Sequence, residues 1–403
     1  MYPGGDGSLR GLRVMVVGGS IAGLLAARAL RSRSAEVIVF ERAKRLEDRG
    51  TSLMLDPQVA CSIPGLCLRV YGERVVLDRE LRVRWRQPVA KAACTWGELY
   101  RSLLAGCEDS LCLDQPVDGC VSLGESVVVT TRDEVRHAGD LVIGADGIGS
   151  TIRQGMDLPF EPSYCGYVAL RGTVDAGAAG HVAPWLWRES AAGHLINVYG
   201  EQTHCVLYSP AASRLQLNWM WYFNVPEGEL SQWGMEGGGP ARRWSVPPHA
   251  LTAAMRHRLH ELAAAEWPEP LAALFALTPA PSLQAIYAGM PEKCAVGRMV
   301  LVGDAAHVLP PHLGAATSLA MADVSSLVNA LAAGTPLSDW SHSRHAAVTK
   351  DLTLSVRWGK AMQTENHRWE EWSCLDFQKW WEDLTHGHRP YFEAADNGLP
   401  LRL

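Results

Sequence analysis

The stretch "LRVMVVGGSIAGLLAARALRSRSAEVIVFER", residues 12 to 42, decides the fold. Its opening apolar run stops at Gly18 and Gly19, and hydrophobicity without alternation suits a strand buried on both faces. Ile21, Leu24, Leu25 and Leu30 then recur near helical spacing, and "EVIVFER" supplies a second strand. Strand, helix and strand within about 30 residues make a parallel crossover, so the chain begins as an α/β protein rather than with a signal peptide.

The turn inside that unit reads Gly18-Gly19-Ser20-Ile21-Ala22-Gly23. A G-x-G-x-x-G dinucleotide turn would place its glycines at 18, 20 and 23, so Ser20 stands for the middle one. Ser20 is small enough to leave the backbone approachable, and the helix N-terminus aims N–H groups and a positive dipole end at a pyrophosphate. Glu41, 23 residues after Gly18, sits where an acid accepts hydrogen bonds from an adenosine ribose, and it argues against NADP as the nucleotide held there. The bland alternative is a glycine-rich turn in an α/β protein that binds nothing.

The chain of 403 residues is long enough for two associated domains. Its 47% hydrophobic and 20% charged residues are those of an ordinary globular protein, and a net charge of −6 offers no footprint for nucleic acid. The ten cysteines form no C-x-x-C pair and no zinc-finger spacing, which suits reduced, mostly buried thiols in a cytoplasmic protein. No metal site is expected, because His307 and His312 flank two prolines at a poor ligand spacing. No run beyond the N-terminal one approaches a membrane span.

Two further apolar strands end in an acid and a tight turn, "DLVIGADGIGSTIR" at 141 and "RMVLVGDAAH" at 298. A simple NAD dehydrogenase needs one such turn; three strand-end sites suit one extended cofactor, a flavin dinucleotide. Asp304 is placed to accept hydrogen bonds from ribityl hydroxyls. The helix opening in "ATSLAMADV" can offer N–H groups to a flavin ring that gains negative charge on reduction. Between these strands, residues 111 to 138 resemble a meander, and 164 to 225 hold alternating strands with no long helix. "HALTAAMRHRLHELAAAEW" is a strong helix pattern. Trp369, Trp372, Trp380 and Trp381 recur near helical spacing, as in a packed C-terminal helix or a contact between two copies.

Taken in order, "VVGGSIAGL", "RG" at 49, "TWGELYRSL", "DLVIGADGIGSTIR", "GYVALRG", "NWMWYFNVPEG" and "GDAAHVLPPHLGAATSLAMAD" resemble the FAD-dependent aromatic hydroxylases of the para-hydroxybenzoate hydroxylase class, over about 15 to 350. The closest branch is the one containing 2,6-dihydroxypyridine hydroxylase. The resemblance implies that Arg42, Arg49, Gly50 and Arg101 reach the cofactor, and that Asp146 and Gly147 serve both FAD and NAD(P)H. It implies a loop from Pro311 through Gly314, Ala315, Ala316 and Thr317 beside the isoalloxazine ring, with NAD(P)H as co-substrate and no separate nicotinamide domain. The implied reaction is hydroxylation or epoxidation of a small electron-rich aromatic or heteroaromatic molecule by O2, through a flavin C4a-hydroperoxide.

The expected architecture is a Rossmann-type FAD-binding domain from 1–70, 94–160 and 285–350. An inserted, mostly antiparallel β-sheet substrate domain comes from 71–93 and 161–284, and a C-terminal helical segment from 351–403. Pocket candidates are Arg171, His204, Trp221 and Tyr222, and the candidate bases are Tyr222 and His312. Three residues depart from the family pattern: Leu170 where tryptophan is common, Phe223 where arginine is common, and Ala316 where glycine is common. The first two make the pocket region less polar and open it to a larger substrate, as in natural-product tailoring. The third adds a methyl group near the flavin and brings the loop shape into question. Trp219-Met220-Trp221 imitates a halogenase motif, so a halogenase, an oxidase or a flavin-binding relic are the alternatives, and a homodimer is the candidate assembly.

Overall fold

The structure is a computed structural model that describes residues 7–45, 52–158, 160–210, 215–235 and 244–386. One sheet has six strands in the order Ala295–Val296, Met299–Leu301, Leu141–Gly144, Arg13–Val17, Glu36–Phe40 and Leu111–Cys112. All neighbours are parallel except the first pair. Val14, Val16, Ile143 and Leu301 are almost wholly buried, as strands covered on both faces must be. Val17 pairs with Gly144 and Gly144 with Leu301, so the central three strands end in one row. The turns at 18–20, 145–150 and 302–306 therefore emerge side by side, at the edge where open α/β sheets bind ligands.

The helix Ile21–Arg31 packs against the helix Ala316–Ala333, which ends at Gly334 with positive φ. By length and composition Ala316–Ala333 could cross a membrane, which the sequence reading missed; its Leu319, Met321, Val324, Leu327 and Leu331 are buried in the protein. The segment 111 to 138 does fold as a meander, with Val117–Leu123, Ser126–Thr131 and Arg136–Gly139 forming a three-stranded sheet.

A second sheet has nine strands in the order Ser245–Val246, Ser282–Ala288, Ser163–Asp175, Gln216–Asn224, Thr203–Tyr208, His194–Gly200, Arg69–Leu77, Val83–Thr95 and Ser52–Leu55. Alternation splits its residues between two faces. Leu217, Trp219, Trp221 and Phe223 pack with Phe275, Leu271 and Leu259 from the helices Glu269–Ala276 and Ala253–Glu266. Met220 and Tyr222 point the other way, toward the turn at 311–314 and the 27-residue helix Leu337–Gln363. Among the described residues, two short helices lie between the strands of 163 to 224, Ala176–Val182 and Pro184–Ala191.

The C-terminal tryptophans are packed within the protomer. Trp380 and Trp381 lie on the helix Cys374–Thr385, whereas Trp369 and Trp372 belong to the tight turn before it, so the sequence spacing overextended the helix. Trp369 stacks on Phe377 at 5.7 Å and donates from Nε1 to Gly200 O at 3.0 Å. All ten cysteines are free thiols, but only Cys94, Cys107, Cys205 and Cys294 are buried, fewer than expected.

Candidate active site

At the first strand end the glycines are required by contact. Gly18 has φ +104°, and a Cβ there would lie 2.4 Å from Ala145 O; a Cβ on Gly23 would lie 1.8 Å from Gly18 O. A Cβ on Gly19 would lie 2.9 Å from the Glu41 Cβ. Glu41 accepts from Gly19 N–H at 2.7 Å and from Ala43 N–H at 2.8 Å, which brings the acid against the turn. Ser20 caps the helix Ile21–Arg31 without a side-chain hydrogen bond, and no acid occupies its first turn, so its N-terminal dipole is left for an anion. Arg42 is exposed just beyond Glu41, and Arg101 is exposed on the helix Trp96–Leu104, whose Thr95–Glu98 capping box follows the sequence signal. Arg49 and Gly50 lie outside the described residues.

The second turn is held by its own acid. Asp146 accepts from Ser150 Oγ at 2.5 Å and from the Thr151 and Ile152 N–H groups at 2.7 and 3.3 Å, so it fixes the turn at Gly147, where φ is +80°. Burial raises its pKa against these hydrogen bonds. Arg153, which the sequence reading passed over, donates to Ala305 O at 2.8 Å and so ties this turn to the third.

The third turn, Gly303–Ala305, carries Asp304 exposed and rests on Asp323. Asp323 accepts from Gly303 N–H at 2.9 Å, faces His307 Nε2 at 2.7 Å and accepts from Arg344 at 2.7 and 3.0 Å. Burial disfavours the charged forms of both Asp323 and His307. Their attraction and hydrogen bond outweigh it, so the Asp323 pKa is lowered and that of His307 raised.

Beyond this turn, Pro311–Leu313 forms a single tight turn that ends at Gly314 with φ +57°, where a Cβ would lie 2.8 Å from Met54 Cβ. Ala315 is then the N-cap of Ala316–Ala333, again with no side-chain cap and no acid in the first turn, and Thr317 follows in that turn. The question raised by Ala316 has a plain answer. Position 316 has an ordinary helical backbone and is exposed, and the left-handed residue of this loop is Gly314.

Against this loop lies a partly open cavity of about 50 Å³. Tyr222, His204 and His312, three candidates from the sequence, meet there. The His204 ring stacks on Tyr222 at 4.4 Å, and His312 lies 5.2 Å from both. His312 Nε2 shares a hydrogen bond of 2.8 Å with Tyr167 Oη, and His204 Nδ1 faces Gln363 Nε2 at 2.8 Å. Burial lowers the pKa of His204 and takes His312 down to about 3, so both rings are neutral, while burial raises the Tyr222 phenol and keeps it protonated. The remaining walls are Arg74, Lys91 and Asn197 among Met54, Leu195, Val206, Met220, Leu313 and Trp358.

Two pocket candidates stand elsewhere. Trp221 points to the opposite face, where it stacks on Phe275 at 5.5 Å and donates to Thr203 Oγ1 at 2.9 Å; strand alternation forces this once Tyr222 faces the cavity. Arg171 shares the face of Tyr222 but hydrogen-bonds Gln284 outside the cavity lining. Among the described residues no group of three or more His, Cys, Asp or Glu side chains could hold a metal ion.

Comparison with known proteins places these features in one setting. Residues 16–56 match the NAD(P)-binding Rossmann-like domain, 282–346 the FAD binding domain, and 164–288 the FAD binding domain-like model. The chain is 29% identical over 343 residues to the 3-amino-4-hydroxybenzoate 2-monooxygenase of Streptomyces cremeus, covering 80% of this chain and 79% of that protein. It is also 29% identical to the 2,6-dihydroxypyridine 3-monooxygenase of Paenarthrobacter nicotinovorans, covering 78% and 81%. The fold is that of the 2,6-dihydroxypyridine-3-hydroxylase of Arthrobacter nicotinovorans, with a TM-score of 0.75 at 23% identity over 94% of this chain and 95% of that one. The Klebsiella pneumoniae HpxO structure with FAD and uric acid gives 0.72 at 19% identity, over 96% and 95%. The chain is thus a relative of the FAD-dependent aromatic monooxygenases, as the order of its motifs implied, and it carries an FAD-binding domain.

Proposed function

We propose that this chain is an FAD-dependent monooxygenase that uses NAD(P)H and O2 to oxidise a small aromatic or heteroaromatic molecule held in the cavity beside the 311–314 turn. The observation that carries the reading is the alignment of Val17, Gly144 and Leu301, which brings three strand-end turns together and leads the third into that turn.

The residues present fit FAD. Ser20, Ile21 and Ala22 would receive the pyrophosphate at an uncapped helix end, Glu41 the adenosine ribose and Asp304 the ribityl chain. The segment Pro311 to Thr317 would run beside the ring system, with the uncapped N-terminus at Ala316 toward it. When bound, FAD supplies two-electron chemistry with NAD(P)H and the activation of O2. The protein's own part is to orient and to exclude water. Neutral His204 and His312 and the protonated Tyr222 present polar atoms to a ring hydroxyl without adding charge, and Met54, Leu195, Val206 and Met220 hold the ring in a dry wall. Gln363 fixes the orientation of His204, and Tyr167 that of His312. On this reading 1–70, 94–160 and 285–350 form the cofactor domain, 71–93 and 161–284 the substrate domain, and 351–403 a C-terminal helical segment, of which 1–6, 46–51, 159, 211–214, 236–243 and 387–403 lie outside the described residues. The location is cytoplasmic and the assembly a homodimer, which the mass in solution tests.

The deciding experiment has three readings. The purified protein carries the absorbance of bound FAD, it consumes NADH or NADPH faster when an accepted aromatic is present, and isotope from labelled O2 enters the product. Product without the label would make it an oxidase or dehydrogenase instead.

A further inference from the structure

Three residues of the helix Leu337–Gln363 meet the polar groups of the cavity. Ser355, Gly359 and Gln363 are spaced by four, which puts them on one stripe of the helix, and all three are buried. Ser355 donates from Oγ to Pro310 O, at the start of the 311–314 turn. Gly359 lies where a Cβ would come 2.8 Å from His312 Nε2 and closer still to Tyr167 Oη, the two atoms that share a hydrogen bond of 2.8 Å. Gln363 Nε2 reaches His204 Nδ1 at 2.8 Å. The Gln363 carbonyl accepts from Asn224 Nδ2 at 2.7 Å, two residues along the strand from Tyr222, so the end of the helix is docked on the cavity side of the sheet.

Helix packing alone would choose other residues at two of these positions. A glycine inside a long helix is disfavoured against alanine, and here the missing methyl is the room that His312 and Tyr167 occupy. A fully buried glutamine is unfavourable unless its amide is used, and Gln363 commits its Nε2 to His204. That contact also places a proton. Gln363 Nε2 can only donate, so His204 Nδ1 accepts; burial keeps the ring neutral, and its one proton therefore sits on Nε2. Stacking on Tyr222 at 4.4 Å sets the plane of the same ring.

We propose that Ser355, Gly359 and Gln363 are positioning residues of the substrate cavity: the stripe holds the 311–314 turn, sets His312 against Tyr167, and locks His204 in the Nε2–H tautomer, so that His204 donates a hydrogen bond to a substrate oxygen instead of acting as its base. The inference rests on the cavity being the substrate site of the proposed monooxygenase, and it assigns His204 its part there. A fixed neutral donor steadies an oxygen that gains negative charge, and it needs no reorganisation at that moment.

The test reads the tautomer first. Purified full-length protein carrying nitrogen-labelled histidine is supplied with FAD, and the imidazole nitrogens of His204 are assigned in the NMR spectrum by their loss in His204→Phe. They are expected to show a bare Nδ1 and a protonated Nε2. Gln363→Glu replaces the donor with an acceptor and should put a proton on Nδ1. A proton on Nδ1 in the native chain, or a spectrum unchanged by Gln363→Glu, would overturn the assignment. Turnover is the second reading. Gly359→Ala should lower kcat on the order of tenfold or more with KM little changed, and divert NAD(P)H oxidation from product to hydrogen peroxide at unchanged FAD content. Native kcat and product yield in that variant would overturn the positioning role of Gly359. The native tautomer decides for His204 even where a variant fails to fold. It is also read without substrate: the expected tautomer in a chain that takes up no FAD would overturn the monooxygenase reading and keep the positioning of His204, and turnover with the opposite tautomer would do the reverse.

Discussion

At the carboxyl ends of the six-stranded sheet, the ligand site is made by backbone that comes close because side chains are missing: Gly18 and Gly23 leave no room for a Cβ and Gly303 little, and two helices arrive uncapped. On the face of the nine-stranded sheet the cavity is made by side chains that six strands hold out from the sheet. The first site is therefore intolerant of added atoms at Gly18 and Gly23, whereas Gly147 has open space around it and is held by its backbone conformation. The second should tolerate exchange of single groups at the cost of specificity. Placing a leucine at position 23 is the severest way to test the first half of this contrast. Any Cβ there meets Gly18 O at 1.8 Å, so the strand and helix must part. Gly23→Leu is expected to leave the protein insoluble or free of FAD, measured as flavin absorbance per polypeptide. Normal FAD content in that variant would mean the helix does not pack as described.

The same contrast can be drawn on neighbours in one strand. Trp221→Ala opens the packed face against Phe275 and Trp267 and should cost about 3–5 kcal/mol of stability. Tyr222→Phe removes one hydroxyl from the cavity side, so its unfolding midpoint in urea should stay close to that of the native chain while turnover of an accepted aromatic falls. The paired measurement fails if Tyr222→Phe loses as much stability as Trp221→Ala.

How much of this was readable from the chain follows from the same physics. Positions 18 to 23 and 41 announce themselves because a tight turn and a strand-end acid need particular residue types at fixed spacing; strand alternation puts the neighbours Trp221 and Tyr222 on opposite faces. It could not say which face was core, and Trp221 was placed in the pocket as a result. Arg74 and Lys91 went unnoticed because their partners in the cavity come from strands far away in sequence, in an order that sequence spacing does not encode. A signal was there nonetheless: Lys91 interrupts the small, apolar run "VAKAAC", where a lone charge has to be accounted for. Asp323, in "LAMADV", is a second lone charge in an apolar run, a buried acid inside a helix.

Asp323 joins the backbone-built site to the rest of the protein, and it offers a pH test. His307 has its folded pKa raised above 6.5, so its contribution is complete below that value and is lost as pH rises through the folded value. Asp323 has its folded pKa lowered below 3.8, so its contribution is present above that value and lost as pH falls through the folded one. The pair thus stabilises most between about 4 and 6.5, and the melting temperature should decline on the alkaline side of that window. Asp323→Ala leaves Arg344 and His307 without their partner and should cost about 3–5 kcal/mol at neutral pH. It should also flatten the alkaline decline; an unchanged slope would assign the pH dependence to other groups.

The smallest expected effect sits where the family pattern is broken. If the loop needed a glycine for its backbone at 316, Ala316→Gly would improve FAD binding. The residue in the left-handed region is instead Gly314, whose missing Cβ also makes room for Met54. Gly314→Ala adds the left-handed penalty of about 1–2 kcal/mol to that contact, and it should lower FAD occupancy and the melting temperature together. Ala316→Gly only loosens the first residue of a helix, at a cost of about 1 kcal/mol or less, so the melting temperature should fall by no more than a few degrees. FAD affinity, followed by fluorescence quenching during reconstitution, should stay within about fivefold, since that cost is the most the substitution can return. A large gain in affinity with Ala316→Gly would mean that the alanine methyl strains the loop, and the departure from the family pattern would then have a functional cost that the helical backbone at 316 argues against.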